Sequence, residues 1–369
     1  MWQLGGWSKS LDPPPSNSEC EWCHDDGVRI RLLRIFRAAK TSRSYIMRSI
    51  RSSSTLVLAA VCVAALATGC ASDAQKGDDF AAKDDGGGPG SVTLIEQPWV
   101  DLQVENEIAR QLLDELGYTA SIESVSVELG AQALVTGDAD AYLGNWWPSQ
   151  EPTYGSLIDS GQIEVVNEEL LTGTQYGPAV PGAVAEDLGI SSLADLDEHA
   201  EEFDRKIYGI EPGSPGNETI QAAIDDDAYG LGDWTLVESG TPAMLTQVDK
   251  AVKDGDAIAF LGWSPHWMTV EFETVFLEDP EGVWGGGGQI RTVMRSGFAD
   301  EAPDIATFLA NLAFTTEETG QFYYDHDKAG MKISDIASAW IEANPDKVKT
   351  FLEGVKSADG EDAEAVVFG

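Results

Sequence analysis

The sequence predicts an α/β protein of two lobes hinged around a ligand cleft, and three observations lead there. The first is a phrase that occurs twice: Gly137-Asp138-Ala139-Asp140-Ala141-Tyr142-Leu143-Gly144-Asn145-Trp146-Trp147-Pro148, echoed by Gly255-Asp256-Ala257-Ile258-Ala259-Phe260-Leu261-Gly262-Trp263-Ser264-Pro265. Each copy reads as an acidic turn, a short buried strand, a Gly that stops it, then a Trp and a Pro. Pro cannot donate to a sheet ladder, so the strand ends there. The Trp then falls at a strand's carboxyl end, where ligands bind in open α/β sheets. The second observation is an alternation of strand and helix patterns, which implies a parallel sheet. The third is a Gly- and Pro-bearing segment, residues 172–182, and a run of four Gly, residues 285–288, that read as crossings between lobes.

The elements follow from these patterns. Val92-Thr93-Leu94-Ile95 is a short apolar strand. Residues 105–116 carry Ile108, Leu112, Leu113 and Leu116 on one helical face, with Gly117 as a stop. Residues 121–127 form a second strand and residues 129–135 a helix, which leads into the first Trp-bearing strand. Past the first crossing, Ser191-Ser192-Leu193-Ala194-Asp195-Leu196 starts a helix and Lys206-Ile207-Tyr208-Gly209-Ile210 is a strand. That strand opens onto the turn Glu211-Pro212-Gly213-Ser214-Pro215-Gly216-Asn217, followed by a helix over residues 219–224. Residues 244–252 are helical and precede the second Trp-bearing strand. The C-terminal part is mostly helical, and Asn344-Pro345 starts the last helix, which ends near Gly354. With 369 residues the chain has room for two domains of ordinary size.

The N-terminal part carries an address. Met47-Arg48-Ser49-Ile50-Arg51, an apolar run over residues 56–66, then Ala67-Thr68-Gly69-Cys70, describe a secretory signal. The run is too short to span a bilayer comfortably. A Cys directly after small residues resembles the lipobox of bacterial lipoproteins, which implies lipidation at Cys70. Residues 47–69 are then the signal peptide, and residues 70–91 are the lipidated Cys with a flexible linker rich in Asp, Lys, Ala and Gly. Residues 1–46 precede the signal and read as an upstream extension or a misassigned start, with Met47 the natural first residue. They contain Cys20-Glu21-Trp22-Cys23-His24, a haem-attachment pattern that carries little weight ahead of a signal.

Composition narrows the chemistry. Net charge is −40, and nine of the 23 Lys and Arg residues precede Cys70, so the remainder is more acidic still. Nucleic acid is not expected as a partner, because phosphate binding needs clustered Lys and Arg. All four cysteines lie at or before position 70, which leaves the body without disulfides or thiol chemistry. After Cys70 the His residues are His199, His266 and His326, and no Ser-His-Asp spacing, HExxH, P-loop or GxGxxG appears. The pairs Asp138/Asp140 and Asp254/Asp256 read as turn residues before strands rather than acid–base or metal sites. No enzyme activity, metal or cofactor is expected.

Packing accounts for most Trp residues, but Trp99, Trp146 and Trp263 each close a strand beside Pro, Gly or a polar residue. Tyr176 sits in the first crossing segment. Several aromatic faces around one cavity suit a quaternary ammonium group, which has no hydrogen to donate and is held by cation–π attraction and methyl packing.

These residues resemble a known family. Pro98-Trp99-Val100-Asp101, Leu143-Gly144-Asn145-Trp146-Trp147-Pro148-Ser149-Gln150, Tyr176-Gly177, Gly209-Ile210-Glu211-Pro212-Gly213 and Leu261-Gly262-Trp263-Ser264-Pro265-His266-Trp267 are similar to motifs of the glycine betaine/choline-binding proteins of ABC importers. The resemblance covers nearly all of residues 92–360. It implies a type II periplasmic-binding-protein fold that closes around its ligand, with residues 92–180 and 286–369 as lobe 1 and 181–285 as lobe 2. It also implies an aromatic box of Trp99, Trp146, Tyr176 and Trp263 around the trimethylammonium group. Asp101 matches a residue that accepts a hydrogen bond from the choline hydroxyl in choline-preferring members. Gly213, Ser214 and Asn217 match a loop lining the second lobe, and His266, in the second Trp loop, is a further candidate contact. Trp147 departs from the family's usual Met.

The expected protein is thus an extracytoplasmic lipoprotein, anchored to the membrane at Cys70. It captures glycine betaine, choline, proline betaine or carnitine and delivers it to an ABC permease and ATPase. Asp101 tilts the choice toward a hydroxyl-bearing or cationic ligand. A receptor for another solute, such as an amino acid, would need an Arg for the α-carboxylate, and Arg291 and Arg295 are the candidates. A secreted carbohydrate-active enzyme, with Trp platforms and an acidic pair, is the remaining alternative.

Overall fold

The computed structural model describes residues 90–284 and 288–369. The signal, Cys70 and the linker therefore lie outside the described residues, as do Gly285, Gly286 and Gly287 of the second crossing. From the first strand the chain runs β1 (Ser91–Glu96), α1 (Val100–Glu115), β2 (Thr119–Ser124), α2 (Val127–Thr136), β3 (Ala141–Trp147), α3 (Glu151–Asp159) and β4 (Ile163–Val180). It continues through α4 (Gly182–Leu188), β5 (Lys206–Tyr208), α5 (Pro215–Asp225), β6 (Thr235–Val237), α6 (Thr241–Asp254), β7 (Ala259–Ser264), α7 (Met268–Glu271), β8 (Val275–Phe276) and β9 (Gly288–Arg295). Helices α8 (Phe298–Glu301), α9 (Pro303–Asn311), α10 (Thr316–Asp327), α11 (Ile333–Ala343), α12 (Pro345–Phe351) and α13 (Ala363–Phe368) complete it.

The repeated phrase is one structural unit used twice. Gly137 and Gly255 adopt the left-handed conformation, φ 77° and 76°, and end α2 and α6. In each copy the amide of the following Asp also returns to the same helical carbonyl, Ala133 O for Asp138 and Ala251 O for Asp256. This double closure is the usual way a helix ends in Gly. The strand that follows, β3 or β7, pairs in parallel with a short central strand: Leu94 of β1 with Ala141, and Ile207 of β5 with Ala259. Each central strand pairs in parallel on its other side, β1 with β2 and β5 with β6.

The two parallel triplets are joined by antiparallel strands, so the sheet is mixed rather than purely parallel. Its order is β2-β1-β3-β9-β4-β7-β5-β6, with β8 also on β4. Strand β4 is the seam. It pairs with β9 from Ile163↔Arg295 to Thr174↔Gly288, and from Gln175↔Ser264 onward it pairs with β7. The segment read from sequence as a crossing is the last part of this strand.

Some sequence readings need correction. Gly144 and Gly262 do not stop their strands but lie inside β3 and β7. A Cβ on Gly144 would stand 2.7 Å from the Tyr142 ring and 3.0 Å from Leu102, so the Gly is there for close approach. Helix α1 begins at Val100, one turn before the apolar periodicity becomes visible, and this puts Asp101 in its first turn. The helix at Asn344-Pro345 is followed by α13, so it is not the last.

The core is continuous along both halves. In β1, Val92, Leu94 and Ile95 are buried, as a strand covered on both faces requires. Against it α1 lays Ile108, Leu112 and Leu113, each fully buried. Truncation of Leu112 to Ala should lower the unfolding free energy by about 2–5 kcal/mol, the usual cost of a buried Leu deletion. A urea titration with unchanged slope and a lower midpoint is the expected readout, and an unshifted midpoint would contradict this packing.

Candidate functional site

Trp99, Asp101, Trp146, Tyr176 and Trp263 line one pocket, with about 400 Å³ of empty space, mouth included. Five residues not singled out from sequence complete the wall: Ser149, Gln150, Ile210, Pro215 and Tyr323.

Each aromatic side chain is delivered by an identifiable element. Trp99 is the N-cap residue of α1, in extended conformation. Trp146 is the penultimate residue of β3 and Trp263 of β7. Tyr176, on β4, is the direct antiparallel partner of Trp263, so the two side chains leave the same face of the sheet. The Trp146 and Tyr176 rings lie 5.6 Å apart at 50°. Trp284 meets Tyr176 edge-on at 5.2 Å, and its indole Nε1 donates to the Tyr176 carbonyl. Tyr176 reaches across to the start of α5, where the amide of Gly216 and the Ser214 side chain bond its hydroxyl. A Cβ at Gly216 would collide with that hydroxyl, so only Gly permits the approach.

The polar end of the pocket is a chain of hydrogen bonds. Trp263 Nε1 donates to Tyr323 Oη at 3.2 Å, and Tyr323 Oη donates to Asp101 Oδ1 at 2.8 Å. Asp101 is 2% exposed. Burial pushes its carboxyl above the ordinary range, while Tyr323 and the backbone amides of Asp101 and Leu102 pull it back. The first turn of a helix also favours a negative charge. Burial and the carboxylate together raise the Tyr323 phenol. Among the described residues no Lys, Arg or His lines the pocket, and Asp101 is the one charged side chain there.

Gly213, Ser214, Asn217 and His266 do not line this pocket. Gly213 adopts φ 78° and, with Ser214, borders a neighbouring groove beside Pro98 and Ser126. Ser214 caps α5 by accepting from the Asn217 amide. The Asn217 carboxamide is spent on the loop itself: it accepts from Ile210 N and donates to the Ile210 and Glu211 carbonyls and to Glu238. His266 packs behind the wall, 5.0 Å from the Trp263 ring and 4.3 Å from Tyr323. Its Nδ1 accepts from Met268 N, and burial drives its pKa down to about 3, so it is neutral.

Other charged candidates are engaged elsewhere. Arg291 donates twice to the Asn145 carboxamide and lies 3.8 Å over the Trp147 ring. Trp147, one residue after Trp146, thus points to the opposite face and serves as a platform for Arg291. Arg295 is bound by Asp140 and Glu301. Asp140 also accepts from the Thr93 amide, which makes it a clamp between β1 and the end of β9.

Residues 90–343 match the family of substrate-binding domains of ABC-type glycine betaine transport systems. The chain belongs to that family. These are transport binding domains and not enzymes, and the fold is the two-lobed type II periplasmic-binding-protein fold of its structural neighbours. A choline-binding protein of an ABC transporter, solved in complex with choline, is 33% identical, with TM-score 0.72 over 75% of this chain and 96% of that one. A lactococcal binding protein, solved closed on glycine betaine, is 25% identical, with TM-score 0.64 over 71% of this chain and 98% of that one. The glycine betaine/carnitine transport binding protein of Listeria monocytogenes is 34% identical over 162 residues, 44% of this chain and 54% of the relative. The chain thus matches about half the length of that relative.

Replacing Tyr323 by Phe removes the donor to Asp101 and the acceptor of Trp263 together. An unsatisfied buried partner costs about 1–3 kcal/mol. The variant should unfold at correspondingly lower denaturant, and a wild-type midpoint would show that the chain of bonds contributes nothing.

Proposed function

We propose that this protein is the extracytoplasmic receptor of an ABC importer and that it captures a quaternary ammonium compound in an aromatic cage. The faces of Trp99, Trp146, Tyr176 and Trp263 hold the trimethylammonium group. Asp101 receives the ligand's hydroxyl or balances its charge, and Tyr323 keeps the carboxylate oriented. The observation that carries the reading is the composition of the pocket wall: the four cage rings with Tyr323 beside them and a carboxylate, with no cation among the described residues.

The energetics are sufficient. Each aromatic face contributes about 0.5–1 kcal/mol when exposed and about 2 or more when desolvated. Three or four such faces with methyl burial reach the roughly −8 kcal/mol of micromolar binding. The same wall ranks the ligands. The carboxylate of glycine betaine, carnitine or proline betaine would enter beside Asp101 with no Lys or Arg to receive it, whereas choline brings a hydroxyl and a net positive charge. Choline is therefore the preferred ligand of this reading. The 33% identical protein solved with choline agrees with that order.

Lobe closure sequesters the ligand from water. We assign residues 92–180 and 286–369 to one lobe and 181–285 to the other, with β4 passing between them. The signal at residues 47–69 and the lipid at Cys70 tether the receptor to the outer face of the membrane, beside the permease and ATPase that take up the ligand. The amino-acid receptor reading loses its support, since Arg291 is held by Asn145 and Trp147 and Arg295 by Asp140 and Glu301.

Calorimetric titration with choline, glycine betaine, carnitine and proline tests the assignment. Micromolar choline binding that weakens at least tenfold in Trp146→Ala, with circular dichroism unchanged, is expected. Wild-type affinity in that variant, or the same affinity for proline as for choline, would sink the aromatic cage.

A further inference from the structure

Next to Asp101 on α1 lies a second carboxyl that ligand capture as described does not use. Glu105 sits one helical turn after Asp101 on α1, so the two side chains share a face. It is 1% exposed, and its Oε1 meets no donor. Its neighbours supply no compensating charge. Asp101 faces it from its own helix and Tyr323 from α10. Elsewhere around α1, Glu96 at the end of β1 interacts with Gln103 and Glu107. Asp335 and Glu342 of α11 and Glu123 of β2 are exposed, and Glu364 of α13 pairs with Lys349. Among the described residues no Lys, Arg or His forms an ion pair with Glu105 or Asp101. His266, behind Trp263, is neutral.

Two carboxylates this close and this buried do not both ionise in an empty pocket, because their repulsion acts through a poorly screening interior. The proton has one favourable place. Asp101 has the Tyr323 hydroxyl, two backbone amides and the helix N-terminus. Glu105 has none of these, and burial followed by the Asp101 charge holds its carboxyl well above the ordinary range. Glu105 is thus the acid of the pair and Asp101 the carboxylate.

We propose that Glu105 is a specificity-determining residue that carries a proton in the ligand-free protein and releases it to solvent when a cationic ligand enters beside Asp101. The proposal rests on the cation-binding reading above. A ligand with net positive charge supplies what the pair lacks, so it favours the doubly ionised state. A zwitterion brings its own carboxylate and gives Glu105 no reason to ionise. Selection by net charge would then be built into the residue behind Asp101 as well as the pocket wall.

The sign of the pH dependence follows. Protonation of Glu105 competes with cation binding, so affinity rises with pH across the interval between its ligand-bound and ligand-free pKa, by up to tenfold per unit. Folding responds in the opposite sense. The folded, empty protein holds a proton that the unfolded chain gives up near its ordinary pKa. This contribution is complete below that pKa and is lost as pH rises through the folded value.

The test is calorimetric titration of the whole protein with choline chloride from pH 5 to 9, in pairs of buffers that differ in ionisation enthalpy. Wild type should release a fraction of a proton and tighten with pH. Glu105→Gln should release less and bind with little dependence on pH. A choline-minus-free infrared difference spectrum of wild type supplies a readout independent of the variant: the carboxylic-acid carbonyl band should be lost on binding. Choline binding with no proton release, a pH-independent affinity and no lost band would overturn the proposal and leave the cage intact. Release undiminished in Glu105→Gln would overturn it as well. Failure of choline to bind at any pH would instead sink the choline preference on which the proposal rests.

Discussion

A carboxylate buried at the end of an aromatic pocket is the constraint around which this site is organised. Desolvating Asp101 opposes folding unless its charge is met by donors fixed in advance. Those donors come from distant parts of the chain: the first turn of α1, and the phenol of Tyr323 from α10, 222 residues on. Tyr323 in turn accepts from Trp263 of β7. One hydrogen-bond chain therefore ties the α1 terminus, a C-terminal helix and the second Trp-bearing strand into a single wall.

The sheet supplies the second half of the arrangement. Strand β4 pairs first with β9 and then with β7, and the change occurs just before Tyr176. Antiparallel registration then sets Tyr176 opposite Trp263 by backbone geometry alone. Trp146 arrives from the other parallel triplet at the end of β3. The two copies of the repeated phrase thus bring their Trp residues to one pocket from opposite sides of the seam. Adjacent positions can diverge completely, as Trp146 and Trp147 do, because neighbours on a strand face opposite sides.

The acidity of the protein and the chemistry of the pocket are separate matters. Net charge is −40, and many of the described acidic side chains are exposed. The pair Asp138/Asp140, a candidate acid–base site on spacing alone, divides its work: Asp138 bonds the Thr136 hydroxyl, and Asp140 bonds Arg295 and the Thr93 amide. Among the described residues, what sets Asp101 and Glu105 apart is burial without a cationic partner. An electrostatic argument about ligands begins there and not with the total.

Asp101 came only with the family resemblance, whereas by itself the sequence determined the class of the fold, the alternation of elements and the repeated Gly-to-Trp unit, and it marked Trp99, Trp146 and Trp263 as strand-end residues. These are readable because local rules govern them. Pro and Gly punctuate strands, apolar spacing marks helices, and a Trp beside a Pro at a strand end is visible in a short window. Residues that line the pocket through long-range packing were not legible. Tyr323 looks like any helical Tyr until α10 is docked against α1, and Ile210, Pro215, Gln150 and Ser149 carry no local signal for a ligand wall. Nor does spacing tell a ligand contact from a loop brace, which is why Asn217 looked like the former and serves the Ile210–Glu211 turn as the latter. Burial decided the remainder. Whether a carboxylate, an imidazole or a guanidinium is free to meet a ligand depends on which groups the whole fold sets against it, and that information exists only in three dimensions.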